Sequence, residues 1–230
     1  MASTIRLTAS APVSCAGTGA FGRRVAGLLT AALPAAREYP GPAAAFGQGS
    51  GAVVVAMWRP SPAVAEQADE LSFAHRRPWL PVIMEHPVLR VGPWVGPPGS
   101  PCFACYQARR DQHDEQRATT ALLHEAYDDD PDLGPAGFLP QHARVAAGIA
   151  LAMLAAAGRG AVLAGRVVTV RLGSASMSAD HVAARHGCQR CSPDVPHRDL
   201  RSLAGSTRPG GHPPEPPVPG PLRRLAATAP

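Results

Sequence analysis

Hydrophobic and polar positions change period several times along the chain, and each change predicts an element. Ala52 to Trp58 (AVVVAMW) is an unbroken apolar, β-branched run, the pattern of a parallel strand buried on both faces. Pro60 and Pro62 close it. From Ala63 to His75 apolar residues recur at helical spacing, with Val64, Ala68, Leu71 and Ala74 on the expected inner face. Leu80 to Met84 (LPVIM) predicts another strand. Pro81 assigns it to an edge or a strand start, because proline donates no backbone hydrogen bond. Val88 to Val91 predicts a short strand, Tyr106 to Tyr127 one polar helix, Asp128 to Pro140 a loop, and Gln141 to Ala157 an Ala-rich buried helix. Arg166 to Leu172 alternates at period two, and a return strand is expected around Asp180 to Ala184.

At the front, either Thr4 to Leu7 or Val13 to Ala16 serves as a first strand. Behind it stands a G-x-G-x-x-G turn built on Gly17, Gly19 and Gly22, then a helix carrying Val25, Leu28, Leu29 and Leu33 at 3.6-residue spacing. Strand, glycine turn and helix follow in the order of a dinucleotide-binding unit. Gly17, Gly19 and Gly22 are therefore the candidate cofactor-binding residues, with the helix N-terminus as the phosphate seat. A unit that binds a ribose places an acid about twenty residues on, at the end of a second strand. The stretch after the helix is rich in Pro and Gly, shows no clear strand and holds one acid, Glu38. A turn kept for close packing is the expected use of the glycines.

Composition adds three facts. The 230 residues are 45% hydrophobic but only 5% aromatic, so the core must be built of Ala, Val and Leu. All 22 basic residues are arginine. The net charge of +5 is scattered, with no basic stripe interleaved with aromatics, which argues against nucleic-acid binding. No uncharged apolar run is long enough to span a bilayer, and the N-terminus lacks the apolar stretch of a signal peptide, so a cytoplasmic protein is expected. From Ser192 onward Pro, Gly and Arg dominate; residues 193–230 read as a disordered tail behind a domain of residues 1–192, and as a possible Pro-rich docking ligand.

Four cysteines carry the clearest chemistry. Cys102 and Cys105 form one C-x-x-C, Cys188 and Cys191 another, about eighty residues later. Zinc takes four soft donors in a tetrahedron, and a two-residue gap lets one turn aim two thiolates at one ion. The spacing predicts a closed structural zinc site stapling two distant turns, with no open position for catalysis. Paired disulfides would require an oxidising compartment, which nothing in the sequence indicates. Cys15 is left over as a small buried residue. The acids Asp128, Asp129 and Asp130 read as solvated loop rather than a hard-metal site, since no further ligands recur at calcium-loop spacing. His113, His124, His142, His181 and His186 fall near the knuckles in sequence, and His186 is the candidate donor to a thiolate. No Ser/His/Asp or Cys/His arrangement is legible.

The order of these parts, with VGPWVGPPGSPCFACYQARRDQHD before the first knuckle and RHGCQRC at the second, resembles the ThiF/MoeB-like adenylating superfamily. The likeness is to its ThiF-like branch in thiazole/oxazole-modified peptide biosynthesis, the cyclodehydratase components and precursor-leader-peptide-binding proteins. It covers about residues 4 to 192. What the resemblance implies is a Rossmann-like α/β sheet flanked by helices, closed by a zinc-stapled C-terminal hairpin. It implies a structural zinc at Cys102, Cys105, Cys188 and Cys191. It also implies dimerisation, or partnership with a YcaO-type enzyme and a precursor peptide. Two departures shape the expectation. No winged-helix module fits ahead of Gly17. Adenylating relatives hold ATP and magnesium with an acid, a lysine and a later aspartate; this sequence has no lysine, and residues 37–51 are Pro/Gly-rich. The reading is a degenerate, non-catalytic partner subunit. The alternatives are an ATP-dependent adenylating or cyclodehydratase component, and a nucleotide-binding regulator.

Overall fold

The computed structural model describes residues 12–48 and 51–191. The alternative first strand at residues 4–7 and the tail at residues 193–230 lie outside the described residues. Among these, seven strands form one sheet in the order β2-β1-β3-β4-β5-β6-β7. The elements run β1 (Val13–Gly17), α1 (Gly19–Ala32), β2 (Ala36–Tyr39), α2 (Pro42–Gly47), β3 (Ala52–Met57), α3 (Pro62–His75), β4 (Trp79–Glu85), β5 (Val88–Val91), α4 (Phe103–Asp111), α5 (Arg117–Asp129), α6 (Pro140–Gly158), β6 (Arg166–Arg171) and β7 (Ser176–His181).

The first four strands pair in parallel, and β5, β6 and β7 continue the sheet antiparallel. β3 is buried at every position, as its unbroken apolar run requires. One sheet face is covered by α1 and α6, with Phe21, Val25 and Leu29 meeting Ala146, Ala150 and Leu154. The other face packs Ala45 and Phe46 of α2, Ala65 and Ala68 of α3, and Phe103 and Tyr106 of α4 against Val53, Val55, Trp79 and Ile83. The alanines buried along α6 let that helix lie close to its neighbours, which is how a chain poor in aromatics fills its interior.

Four expectations are corrected. The Pro/Gly-rich stretch after α1 does hold a strand and a short helix, β2 and α2. Its four-residue strand is exposed on one side, so its sequence carries no apolar run. β4 is an interior strand, not an edge. Pro81 is tolerated because its carbonyl accepts from the Gly92 N–H just beyond the β4–β5 ladder, so the missing donor falls where pairing with β5 has ended. The buried face of α3 is Ala65, Ala68, Asp69 and Ser72, while Ala74 is exposed. Finally, the single helix expected over residues 106–127 is two helices, broken at residues 112–116.

Candidate metal centre and the closed glycine turn

Cys102 is the N-cap of α4, and Cys105 lies in its first turn, with its N–H donating to the Cys102 carbonyl. The second knuckle follows β7. There Gly187 takes φ 69°, a backbone closed to proline, and turns the chain so that Cys188 and Cys191 face the first pair. Cys102 Sγ lies 3.6 Å from Cys188 Sγ, and Cys105 Sγ 3.5 Å from Cys191 Sγ. All four sulfurs lie within 4.8 Å of one another. A tetrahedron with Zn–S bonds of about 2.3 Å has sulfurs about 3.8 Å apart, so this donor set fits a four-coordinate soft metal. The Arg185 N–H also donates to Cys105 Sγ. Burial pushes the Cys102 thiol up, and the Cys105 N–H offsets that only in part. Burial opposes ionisation of Cys188 too, but the N–H groups of Cys191 and Arg190 bring it down to about 6.

A second clamp, which the sequence reading missed, sits under the cysteines. Asp69 on α3 is fully buried and accepts three hydrogen bonds. These come from Trp79 Nε1 at 3.3 Å, the Phe103 N–H at 2.9 Å, and Arg190 of the second knuckle at 2.7 Å. One carboxylate thus ties the sheet, the start of α4 and the second knuckle to one helix. The signal was available: Asp69 stands inside the Ala65–Ala68–Ser72 stripe, at the spacing of a helix's buried face.

The three glycines of the turn are used for close approach. A Cβ on Gly17 would lie 2.4 Å from the Gly22 carbonyl carbon, and one on Gly22 would lie 2.3 Å from the Ala56 carbonyl oxygen. Gly19 has φ 61°, and its open side is taken up by the indole of Trp58, whose Cδ1 would be 2.3 Å from an added Cβ. The far edge of that indole rests on Gly134 in the α5–α6 connection. Beside it, Arg59 is buried and lies over the Trp58 and Tyr127 rings. It donates to the Tyr127 and Asp130 carbonyls, the latter at 3.0 Å. At the ends of β1 and β3 the half-buried indole of Trp58 lies against this turn. The acid expected on a second strand is present, since Glu38 is the exposed third residue of β2, while β3 ends without a carboxylate at Met57-Trp58-Arg59-Pro60.

The other candidates take structural places. Cys15 is fully buried in β1. Asp128 belongs to α5 and accepts the Ala63 N–H at the start of α3, and Asp130 accepts the Asp132 N–H. His142 accepts the Leu139 N–H at the start of α6. His113, His124 and His181 line a cleft of about 960 Å³ between α4, α5 and the β5–β6–β7 end of the sheet. His186 lines a smaller hollow next to it.

No family model matches the chain, and no curated protein matches it. Solved structures do. The heterocyclase TruD aligns at TM-score 0.61 and 16% identity, covering 80% of this chain and 28% of that one. MccB of E. coli, crystallised with MccA, aligns at TM-score 0.56 and 12% identity, covering 79% of this chain and 66% of that one. The E. coli microcin synthetase McbBCD complex contributes a chain at TM-score 0.59 and 9% identity, covering 82% of this chain and 70% of that one. The chain spans little more than a quarter of the length of the TruD chain it matches. At these identities the likeness is one of fold, and it is the fold that the ThiF-like resemblance implied. Among the described residues, no helix is long and apolar enough to cross a membrane.

Proposed function

We propose that this protein is a non-catalytic, ThiF-like partner subunit in the maturation of a ribosomally made peptide. It works beside a YcaO-type cyclodehydratase and its precursor peptide in azoline- or azole-forming, bacteriocin-type biosynthesis. Cys102, Cys105, Cys188 and Cys191 hold a structural zinc, and the chain functions in the cytoplasm. The fold shared with a heterocyclase and a microcin synthetase complex supports the setting.

The observation that carries the non-catalytic part is Trp58. Its indole lies against Gly19 on one side and Gly134 on the other, beside the N-terminus of α1, the expected phosphate seat. Phosphoryl and adenylyl transfer rest on cations that offset phosphate charge and on a carboxylate that anchors magnesium. Here Trp58 lies against the turn, the chain has no lysine, and β3 ends without an acid, leaving Glu38 of β2 as the one carboxylate of that stretch. The residues present do not fit ATP and magnesium, so no chemical step is assigned to this chain. Its contribution is a rigid body with two tied knuckles, offered to other polypeptides.

Two experiments test this. Calorimetric titration with ATP and magnesium should give no heat of binding; micromolar binding with pyrophosphate release would overturn the scaffold reading. Co-expression with a YcaO-type enzyme and a precursor peptide encoded beside this gene should yield a stable complex in which only the enzyme consumes ATP. A chain that purifies alone in that experiment would remove the partner assignment.

A further inference from the structure

The cleft between α4, α5 and the β5–β6–β7 end of the sheet carries chemistry that the scaffold does not use. Its volume is about 960 Å³, and it meets a second hollow of about 440 Å³ around Arg109 and Asp111. Six arginines line the two: Arg90, Arg109, Arg110 and Arg171 in the first, Arg117 and Arg185 in the second with Arg109 shared. Glu85 engages Arg90 at 2.6 Å and Arg110 at 2.8 Å. Arg109, Arg117, Arg171 and Arg185 make no ion pair with any described carboxylate. Three aspartates, Asp111, Asp114 and Asp180, are interspersed along the walls, leaving the rim basic in balance but mixed in pattern.

The floor holds one unanswered polar atom. Tyr106 is 4% exposed, and its buried hydroxyl has the Arg90 guanidinium for a neighbour. Gln107 Oε1 is buried without a partner. Leaving such an acceptor unpaired costs about 1–3 kcal/mol, so the site favours a ligand that offers a donor. A peptide main chain does so at every residue. β7, an exposed strand at the end of the sheet, forms the outer wall with Asp180 and His181.

We infer that this cleft receives an acidic segment of a partner polypeptide, its main chain at Gln107 and its carboxylates at Arg109, Arg117, Arg171 and Arg185. The inference rests on the partner-subunit reading only for the identity of the natural occupant. A nucleic-acid strand fits less well. Such strands are held by exposed aromatic platforms, whereas Tyr106 is buried and supplies no free ring face, and three aspartates interrupt the phosphate track.

The test is fluorescence anisotropy of the full chain with three labelled probes: a Gly-Glu repeat peptide, a Gly-Lys repeat peptide and an oligothymidylate of matched length. The Gly-Glu peptide should bind in low salt and weaken as salt rises. The triple variant Arg109→Glu, Arg171→Glu, Arg185→Glu should lose at least about tenfold in affinity for it and gain affinity for the Gly-Lys peptide, a gain no misfolded protein would show. Gln107→Leu should weaken the Gly-Glu peptide without changing its salt dependence. No binding of the acidic peptide, or binding indifferent to the arginine reversal, overturns the inference. Preferential binding of oligothymidylate that depends on the same arginines replaces it with a nucleic-acid site. Each of these outcomes is independent of whether a YcaO-type enzyme co-purifies, so this inference and the proposed function fail separately.

Discussion

The carboxylate of Asp69 is the point at which the four-cysteine cluster and the fold meet, and its removal should be felt in both. Asp69→Ala strips the partner from a buried indole N–H, from the buried Phe103 N–H at the first knuckle, and from Arg190 at the second. Breaking a buried ion pair by removing one member costs about 3–5 kcal/mol, and each orphaned donor about 1–3. These overlap, because the same three contacts are counted twice, so the expected loss is about 3–5 kcal/mol in all. Arg190 is a quarter exposed on its side chain, which places Arg190→Ala lower, since Asp69 then keeps two donors. The two changes should be coupled by about 1–3 kcal/mol in a double-mutant cycle, because they remove the same interaction.

The assay is urea unfolding at saturating zinc, paired with zinc affinity measured against a chromophoric chelator. With the second knuckle no longer held to α3, metal affinity should fall about 10–100-fold in Asp69→Ala, the range seen when groups supporting metal ligands are lost. Asp69→Asn separates charge from shape. Its amide oxygen can still serve Trp79 and Phe103, while its NH2 faces a guanidinium, so it should keep most stability and lose metal affinity. Coupling below about 0.5 kcal/mol, or zinc affinity unchanged in both variants, would refute the claim that one carboxylate organises the two knuckles.

Other consequences are measurable. Purified protein should contain one zinc per chain by mass spectrometry, and Cys102→Ser with Cys188→Ser should contain none. Because thiolates are the ligands, apparent zinc affinity should fall as pH is lowered through the range where protons compete for the sulfurs. Gly22→Ala should destabilise by several kcal/mol with or without ATP, since its Cβ would strike the Ala56 carbonyl, whereas Gly27→Ala, on an open face of α1, should be neutral or gain up to about 1 kcal/mol. Burial, with Glu38 nearby, pushes the Cys15 thiol up to about 12, so Cys15 should resist a maleimide at neutral pH until the chain unfolds.

The parts legible in the sequence are those whose pattern is local. β3 announces itself by six consecutive buried residues, and α1 and α6 by helical spacing. The cysteine pairs declare their chemistry by spacing alone. What stayed hidden depends on partners far along the chain. β2 has one strongly buried residue in four, and only its pairing with β1 makes it a strand. Arg77 reads as one of the scattered basic residues, next to Arg76. In the fold it is 5% exposed, donating to the carbonyls of Gly51, Ala45 and Phe46 at the end of α2 and to Ser14. An arginine used to close a helix end looks, in sequence, like surface charge.

The same point bears on the absence of lysine. Arginine's planar fork suits it to bridging several carbonyls and to stacking on rings, and Arg59 and Arg77 do both beneath the surface. Lysine would offer a single point charge on a flexible stem, the shape needed against a nucleotide's phosphates. In this chain, the buried cations hold loops against the sheet, and Trp58 lies over the glycine turn with Arg59 packed beside it. Four arginines without an ion pair to a described carboxylate, Arg109, Arg117, Arg171 and Arg185, line the cleft along α4 and its neighbours. The inferred peptide site therefore lies on the antiparallel side of the sheet, away from the glycine turn. There the knuckles, through Asp69 and Arg190, keep the helix that carries Tyr106, Gln107 and Arg109 fixed in place.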